Sequence, residues 1–453
     1  MSEDALLAHL AFLGQKHLLA GFDSLSSEKK LAFSLQLKKF DAGLLQNQRN
    51  LLLQNKNIAD GFKPLEKCES AGNAENIRIG EALISSGKVG CIILAGGQGT
   101  RLGSKGLKGA FPVAPVTGKS LFQLFFERAA AVVRKAQAAL PIAVMTSSLN
   151  HKETEAFFSK HNWFGYLPGN VDLFQQKTLP FIDDRGNWLL EAPGRLAEGP
   201  DGNGNVLKEF FLSGIWERWQ RRGIQYVNVI VVDNALADPF DAELCGFQER
   251  SGAEVVLKGV ERRSADEKMG IIVEKQGKVQ VVEYSELADQ AFSQRHDDGS
   301  LRYCLANTSL FSFHMDFVRR IALDPQAALP WHLARKKANV LLGTAKGLFQ
   351  EEVMIWKCET FIFDLLAYAK HSAVLFCPRE LCYAPLKNAS GEKSLKAVHD
   401  ALLAFDREIF KKISGTTPPE RPFELAPAFY YPSEVLLKQW KGRPLPNQGY
   451  IEE

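Results

Sequence analysis

The sequence has no CxxC pair, no HExxH, no GxSxG and no long uninterrupted apolar run. Seven cysteines (Cys68, Cys91, Cys245, Cys304, Cys358, Cys377 and Cys382) are an odd set. Several sit inside apolar stretches, where a free thiol packs as a small hydrophobe, so the pattern is that of a reducing compartment and not of a disulfide scaffold. Nine histidines show no zinc-ligand spacing, which disfavours a histidine-built metal centre. The missing nucleophile elbow removes a serine hydrolase of the α/β type. No segment approaches the roughly 18 apolar residues of a membrane helix, and Glu3 and Asp4 stand where a signal peptide would be basic. A soluble cytoplasmic protein without a membrane partner is expected. Excess charge is scarce as well: 55 Lys and Arg against 52 Asp and Glu leave a net charge of +3. That excludes a general nucleic-acid binder, and any anionic ligand must be held by local features.

What is present is an ordinary globular composition, 45% hydrophobic and 24% charged over 453 residues, enough for two or three domains. From Ala5 to about Leu53 apolar residues recur at three- and four-residue spacing (Leu6, Leu10, Leu13; Phe33, Leu37, Phe40, Leu44), which predicts amphipathic helices. From about Glu81 strands alternate with helices: VGCIILA then SLFQLFFERAAAVVRK, PIAVMTS then KETEAFFSKH, YVNVIVVDN then DAELCGFQER. This grammar predicts right-handed βαβ units and a mostly parallel sheet with ligands outside the carboxyl ends of its strands. After Gly252, AEVVLKGVE and GIIVEKQGKVQVVEYSE read as an added antiparallel element with a hairpin at Gln276 and Gly277. A short Pro- and charge-rich tail follows Ala389. The expected division is a helical N-terminal region at 1–85, a catalytic domain at 86–388 and a small C-terminal domain at 389–453.

The segment CIILAGGQGTRLGSKGLKG, Cys91–Gly109, runs from an apolar strand into three close glycines and then three cations. Gly96, Gly97 and Gly99 let backbone N–H groups approach a ligand, an anion nest before any side chain is counted. A dinucleotide fingerprint would need glycine at Leu102, and a Walker A loop would need one at Val113, so neither fits. Gly118, Lys119 and Ser120 read instead as a helix start. Other strand ends should then carry a metal ligand and sugar-binding groups. Asp233 ends YVNVIVVDN, where a carboxylate can coordinate Mg²⁺ bridging phosphates, although a turn or capping aspartate would look the same. EGPDGNGN, Glu198–Asn205, offers N–H groups and the Asn203 amide before a helix, or is a surface turn. Gln175 and Gln176 end another strand with amides suited to a base edge. Glu283 and Glu286 of EYSE, and Lys357 and Lys387, taken singly also read as solvated residues.

CIILAGGQGTRLG, the lysine of LKG, FFSKHNWFG, LFQQKTLPF, PDGNG, VVDN, VVEYSEL and APLKNA occur in the order found in the UDP-sugar pyrophosphorylases. Over about the first 390 residues the chain resembles the eukaryotic-type UDP-N-acetylhexosamine pyrophosphorylases most. The resemblance implies a Rossmann-like, GT-A-like α/β nucleotidyltransferase core that makes UDP-sugar and pyrophosphate from UTP and a sugar 1-phosphate, with Mg²⁺ as cofactor. By that resemblance Leu94, Ala95, Gly96 and Gly97 contact the nucleotide, and Arg101 and Lys108 its phosphates. Gln176 and Gly202 face the uracil, and Asn203, Gly270, Glu283 and Asn307 surround the sugar, with Phe361 as a wall. Lys357 and the catalytic Lys387 lie at phosphate and Asp233 at the metal. The sequence departs at Leu107, where the family has proline, and at YCLAN, Tyr303–Asn307, where the acetylhexosamine enzymes read FNAGN. Cys304 removes an amide and Ala306 adds a methyl group beside the expected sugar position.

The expected substrate is N-acetylglucosamine 1-phosphate, with glucose 1-phosphate as the alternative. A dehydrogenase is disfavoured by the glycine spacing and because its candidate ribose acid, Glu127, lies within a helix. A non-catalytic UDP-sugar sensor would need neither Arg101 nor Lys108 nor Asp233.

Overall fold

The apolar run VGCIIL forms the strand Val89–Leu94, buried at every position, as a strand covered on both faces must be. Parallel neighbours Tyr226–Val231 and Ile142–Thr146 flank it, and Val171–Gln175 continues the sheet beyond the latter. On the other side Leu305–His314 runs antiparallel to Tyr226–Val231 and to Val255–Glu261. Ser372–Phe376 then pairs in parallel with Val255–Glu261. The result is an 11-stranded, mostly parallel sheet, as the alternation predicts. Ser120 caps the helix Leu121–Ala136 by accepting from the Gln123 N–H at 3.2 Å, so GKS is indeed a helix start.

The computed structural model describes residues 3–53, 61–97, 99, 106–284, 286, 293–344 and 347–453. Contacts divide the chain into two compact units: residues 1–57, 176–205 and 328–361 form one, and 58–175, 206–327 and 362–453 the other. These bounds cut the chain differently from the expected divisions after residues 85 and 388.

The larger unit carries the central sheet. The expectation of an added antiparallel element holds for the hairpin Ile271–Lys275 and Lys278–Val282, closed by Gln276 and Gly277 at φ 52° and 75°, the left-handed pair of a type I′ turn. It fails for Val255–Glu261, which is buried over its first six positions and belongs to the main sheet. The 20-residue helix Leu395–Ser414 and a small core of Phe410, Phe423, Phe429, Trp440 and Ile451 complete this unit.

The smaller unit contains the N-terminal helices Glu3–Phe12, Ser27–Leu37 and Ala42–Leu53. Their apolar faces meet Ile182, Trp188, Leu190 and Leu196 in one core. Buried amides hold the seam: Gln48 accepts from the Trp188 indole at 2.8 Å and donates to the Pro180 carbonyl at 3.0 Å. Beside it lies the long hairpin His332–Thr344 and Gly347–Glu359.

Candidate active site

Parallel pairing fixes which residues share the carboxyl edge of the central sheet. Leu94 is in register with Val231, and the Val232 N–H donates to the Leu94 carbonyl at 3.1 Å. The glycine loop and Asp233 therefore leave adjacent strands at the same level. Leu94 and Ala95 belong to the core, and the backbone of Ala95 is engaged on both sides. Its N–H donates to the Met145 carbonyl and its own carbonyl accepts from the Asn150 amide, each at 2.8 Å. Of Leu94, Ala95, Gly96 and Gly97, only Gly97 is exposed. Arg101 lies outside the described residues.

The lysine after the loop does reach the metal-ligand candidate. Lys108 Nζ stands 3.0 Å from Asp233 Oδ2, and each side chain is only 16% exposed. Gly109, next in the chain, packs against the Phe122 ring, which a Cβ there would meet at 2.1 Å, so only glycine fits beside the lysine. Burial pushes the Asp233 carboxyl up, but the ammonium groups of Lys108 and Lys387, with Lys393 beyond them, outweigh it and hold the group below the ordinary carboxylate range. Asp233 is thus ionised. Its other oxygen, Oδ1, is buried without a hydrogen-bond partner among the described residues.

Lys387 is placed by a residue whose role the sequence reading did not single out. Asn234 donates to the Cys382 carbonyl at 2.7 Å and accepts from the Ala384 N–H at 2.8 Å. The Leu386 N–H donates to the Asp233 carbonyl at 2.8 Å. The segment entering Lys387 is therefore stapled to the strand end that carries the carboxylate. Lys387 N–H then donates to the Lys393 carbonyl at 2.7 Å, which fixes the turn that follows. The signal was the dipeptide itself: an asparagine buried directly after a strand-end aspartate must satisfy both sides of its amide.

Three expected sugar-side residues also meet. The Asn307 N–H donates to the Gly270 carbonyl at 2.9 Å, and a Cβ on Gly270 would lie 3.4 Å from Glu283 Oε1. Ala306, expected to crowd this place, does not share it. It is fully buried in the main core with Val260, Met269 and Leu375, because successive side chains of a strand point to opposite faces.

The smaller unit holds the remaining candidates. Gly202 has φ +90°, and a Cβ there would lie 2.2 Å from the Thr360 carbonyl oxygen. Thr360 N–H donates to the Asp201 carbonyl at 2.8 Å, and its own carbonyl accepts from Gly204 N–H at 3.0 Å. The PDGNG loop, with half-buried Asn203, is thereby sewn to the chain between Lys357 and Phe361. Lys357 Nζ pairs with Glu359 at 2.5 Å, and the Phe361 ring lies 4.8 Å from that of His332. Gln176 is 8% exposed and precedes Lys177, whose carbonyl accepts from the Asp201 N–H.

A strand-end carboxylate gripped by the lysine of a glycine loop is the arrangement that the motif order implies. The model of the UTP–glucose-1-phosphate uridylyltransferase family matches residues 46–429. The chain belongs to this family. Among its relatives, UDP-N-acetylglucosamine diphosphorylase 2 of Arabidopsis thaliana is 34% identical over 410 residues, covering 85% of this chain and 80% of its own. The UDP-N-acetylglucosamine pyrophosphorylase of Saccharomyces cerevisiae is 32% identical over 405 residues, 84% of this chain and 85% of its own. The uridine diphosphate N-acetylglucosamine pyrophosphorylase of Trypanosoma brucei, solved with an inhibitor, shares the fold. Its TM-score is 0.79 at 24% identity, over 100% of this chain and 98% of that one. As a member of this family the chain is a nucleotidyltransferase. No helix among the described residues is long and apolar enough to cross a membrane.

Proposed function

We propose that the chain catalyses UTP + N-acetylglucosamine 1-phosphate ⇌ UDP-N-acetylglucosamine + pyrophosphate in the cytoplasm. The observation that carries this reading is the half-buried Lys108–Asp233 pair after the glycine loop, with Lys387 delivered beside it. The sugar phosphate is largely dianionic at neutral pH, since its second pKa is near ~6, so the attacking oxygen needs no general base. The protein's work is to align that oxygen with the α-phosphorus and to neutralise charge as pyrophosphate leaves. Gly96 and Gly97 approach the nucleotide, Gln176 and Gly202 face the uracil, and Arg101, Lys108 and Lys387 meet the phosphates. Asn203, Gly270, Glu283 and Asn307 surround the sugar with Phe361 as a wall, and Lys357 lies at phosphate.

Asp233 suits a divalent cation: it is ionised, and Oδ1 is a buried acceptor with no described partner. Among the described residues no cluster of three histidine, cysteine or carboxylate groups offers a site made by protein alone. Asp233 together with substrate phosphate oxygens would hold Mg²⁺, which supplies charge neutralisation on the phosphates when bound.

A second reading, glucose 1-phosphate as substrate, is favoured by the description of the family whose model matches. Pyrophosphate release from UTP with a panel of sugar 1-phosphates decides between them. A higher kcat/KM for N-acetylglucosamine 1-phosphate supports the proposal, a higher value for glucose 1-phosphate replaces it, and UTP binding without turnover makes the chain a sensor. Activity is expected to vanish in EDTA and return with Mg²⁺. Activity that survives exhaustive chelation removes the metal.

A further inference from the structure

Asn150 reaches the glycine loop from the strand beside it. The strand Ile142–Thr146 turns into the helix His151–Lys160, and Asn150 stands immediately before that helix with its side chain buried. The side chain does not cap the helix. Its oxygen accepts instead from the N–H and the hydroxyl of Ser147, at 2.8 and 3.1 Å. A backbone N–H can only donate, so the oxygen must be the atom that faces Ser147. The amide nitrogen is thereby turned to the Ala95 carbonyl, to which it donates at 2.8 Å.

That bond decides where the next donor points. The carbonyl of Ala95 and the N–H of Gly96 belong to one planar trans peptide unit and face opposite ways. The strand Val89–Leu94 lies between Ile142–Thr146 on one side and Tyr226–Val231 on the other. The N–H and the carbonyl of Ala95 both turn to the first side, to the Met145 carbonyl and to Asn150. The Gly96 N–H accordingly turns to the second side, where the Leu94 carbonyl accepts from Val232 N–H and the chain runs on to Asp233 and its partner Lys108. Gly96 is buried, yet its N–H makes no hydrogen bond among the described residues. A buried N–H is seldom left without an acceptor, and an anion on this side would meet it together with the Lys108 ammonium.

We propose that Asn150 is a positioning residue for the nucleotide: its grip on the Ala95 carbonyl aims the Gly96 N–H at the phosphates of UTP. The inference rests on the function proposed above and names a residue outside every motif that carries the family resemblance. Without the grip, the peptide between Ala95 and Gly96 can rotate, because glycine tolerates the dihedral angles that a flip requires. The flipped carbonyl would then repel the anion that the N–H should bind.

The test compares UTP with uridine, which has the same base and ribose but no phosphate. Asn150→Asp keeps the acceptor for Ser147 and suits the start of a helix, but its carboxylate cannot donate to the Ala95 carbonyl. It should raise the KM for UTP about tenfold, the scale of one hydrogen bond to a charged group. The Ki of uridine as a competitor of UTP, and the KM for sugar 1-phosphate at saturating UTP, should stay at their wild-type values. Asn150→Ala brings no charge into the interior and should behave alike; it replaces the first variant if urea unfolding shows that the buried carboxylate prevents folding. A folded variant with an unchanged KM for UTP overturns the proposal. So does a parallel rise in the uridine Ki, which a merely structural lesion of the loop would give. In both cases the reaction stands. If wild type neither binds nor turns over UTP, the functional reading falls and takes this one with it.

Discussion

Removing Lys108 should have two effects that can be measured apart. The ammonium group lies 3.0 Å from Asp233 Oδ2 and is largely sheltered from water. At an effective dielectric of about 20, two unit charges ~4 Å apart attract by about 4 kcal/mol, before desolvation is subtracted. Lys108→Ala would leave Asp233 with neither oxygen partnered among the described residues, its carboxylate then relying on Lys387 and Lys393 alone. Breaking a buried pair on one side costs up to about 3 to 5 kcal/mol; the remaining lysines reduce this, and a loss near 2 kcal/mol is expected, the cost of an unsatisfied buried acceptor. In catalysis a preorganised phosphate cation disappears, so kcat/KM should drop by about 10² to 10³, or ~3 to 4 kcal/mol. Asp233→Asn relieves the orphaned charge. The double variant should thus recover about 1 kcal/mol of stability over Lys108→Ala alone while its activity falls further. Urea unfolding and pyrophosphate release, measured on wild type and all three variants, complete the cycle. If Lys108→Ala keeps more than half of the activity, the lysine is not at the phosphates. If the second substitution costs stability instead of restoring it, the pair is not what balances the buried carboxylate.

Gly202→Ala should unfold the PDGNG loop locally, because φ +90° is strained for alanine and its methyl would strike a backbone carbonyl that cannot rotate away; a variant with unchanged KM for both substrates would refute this. Ala306→Gly should cost about 1 kcal/mol or more through the lost core methyl and the looser strand, without changing the choice between sugars, so an altered substrate ratio would put Ala306 back beside the sugar. Asp406 makes stability fall as pH rises from about 4 to about 7: burial pushes its carboxyl up to about 7 against hydrogen bonds from Tyr430 and Leu425 and the charge of Arg128, with Glu424 adding to the rise. The folded state then holds a proton that the unfolded chain releases near 3.8, and the stability this gives at acid pH is lost through the folded value. Asp406→Asn should flatten that part of the urea midpoint against pH profile, and an unchanged slope in the variant would show that other groups set it.

The fold was legible where burial imposes a pattern. VGCIIL, IAVMT and YVNVIV are almost wholly apolar because parallel strands are covered on both faces, the buried Asn228 apart, and each forms the strand expected. Leu305–His314 was not legible, since its one antiparallel place in the sheet is decided by two neighbours distant in sequence. The hairpin His332–Thr344 and Gly347–Glu359 escaped for a related reason: lysines interrupt the alternation that would announce it. Site residues followed the same division. Lys108 and Asp233 could be paired from sequence because one loop and one strand end must share an edge once the strands are parallel. The side of a strand on which a given residue stands depends on register, which motif order does not contain. That is why Ala306 was assigned to the sugar when its methyl lies in the core. Motif order recovers which segments assemble; only register tells which of two adjacent side chains reaches the ligand.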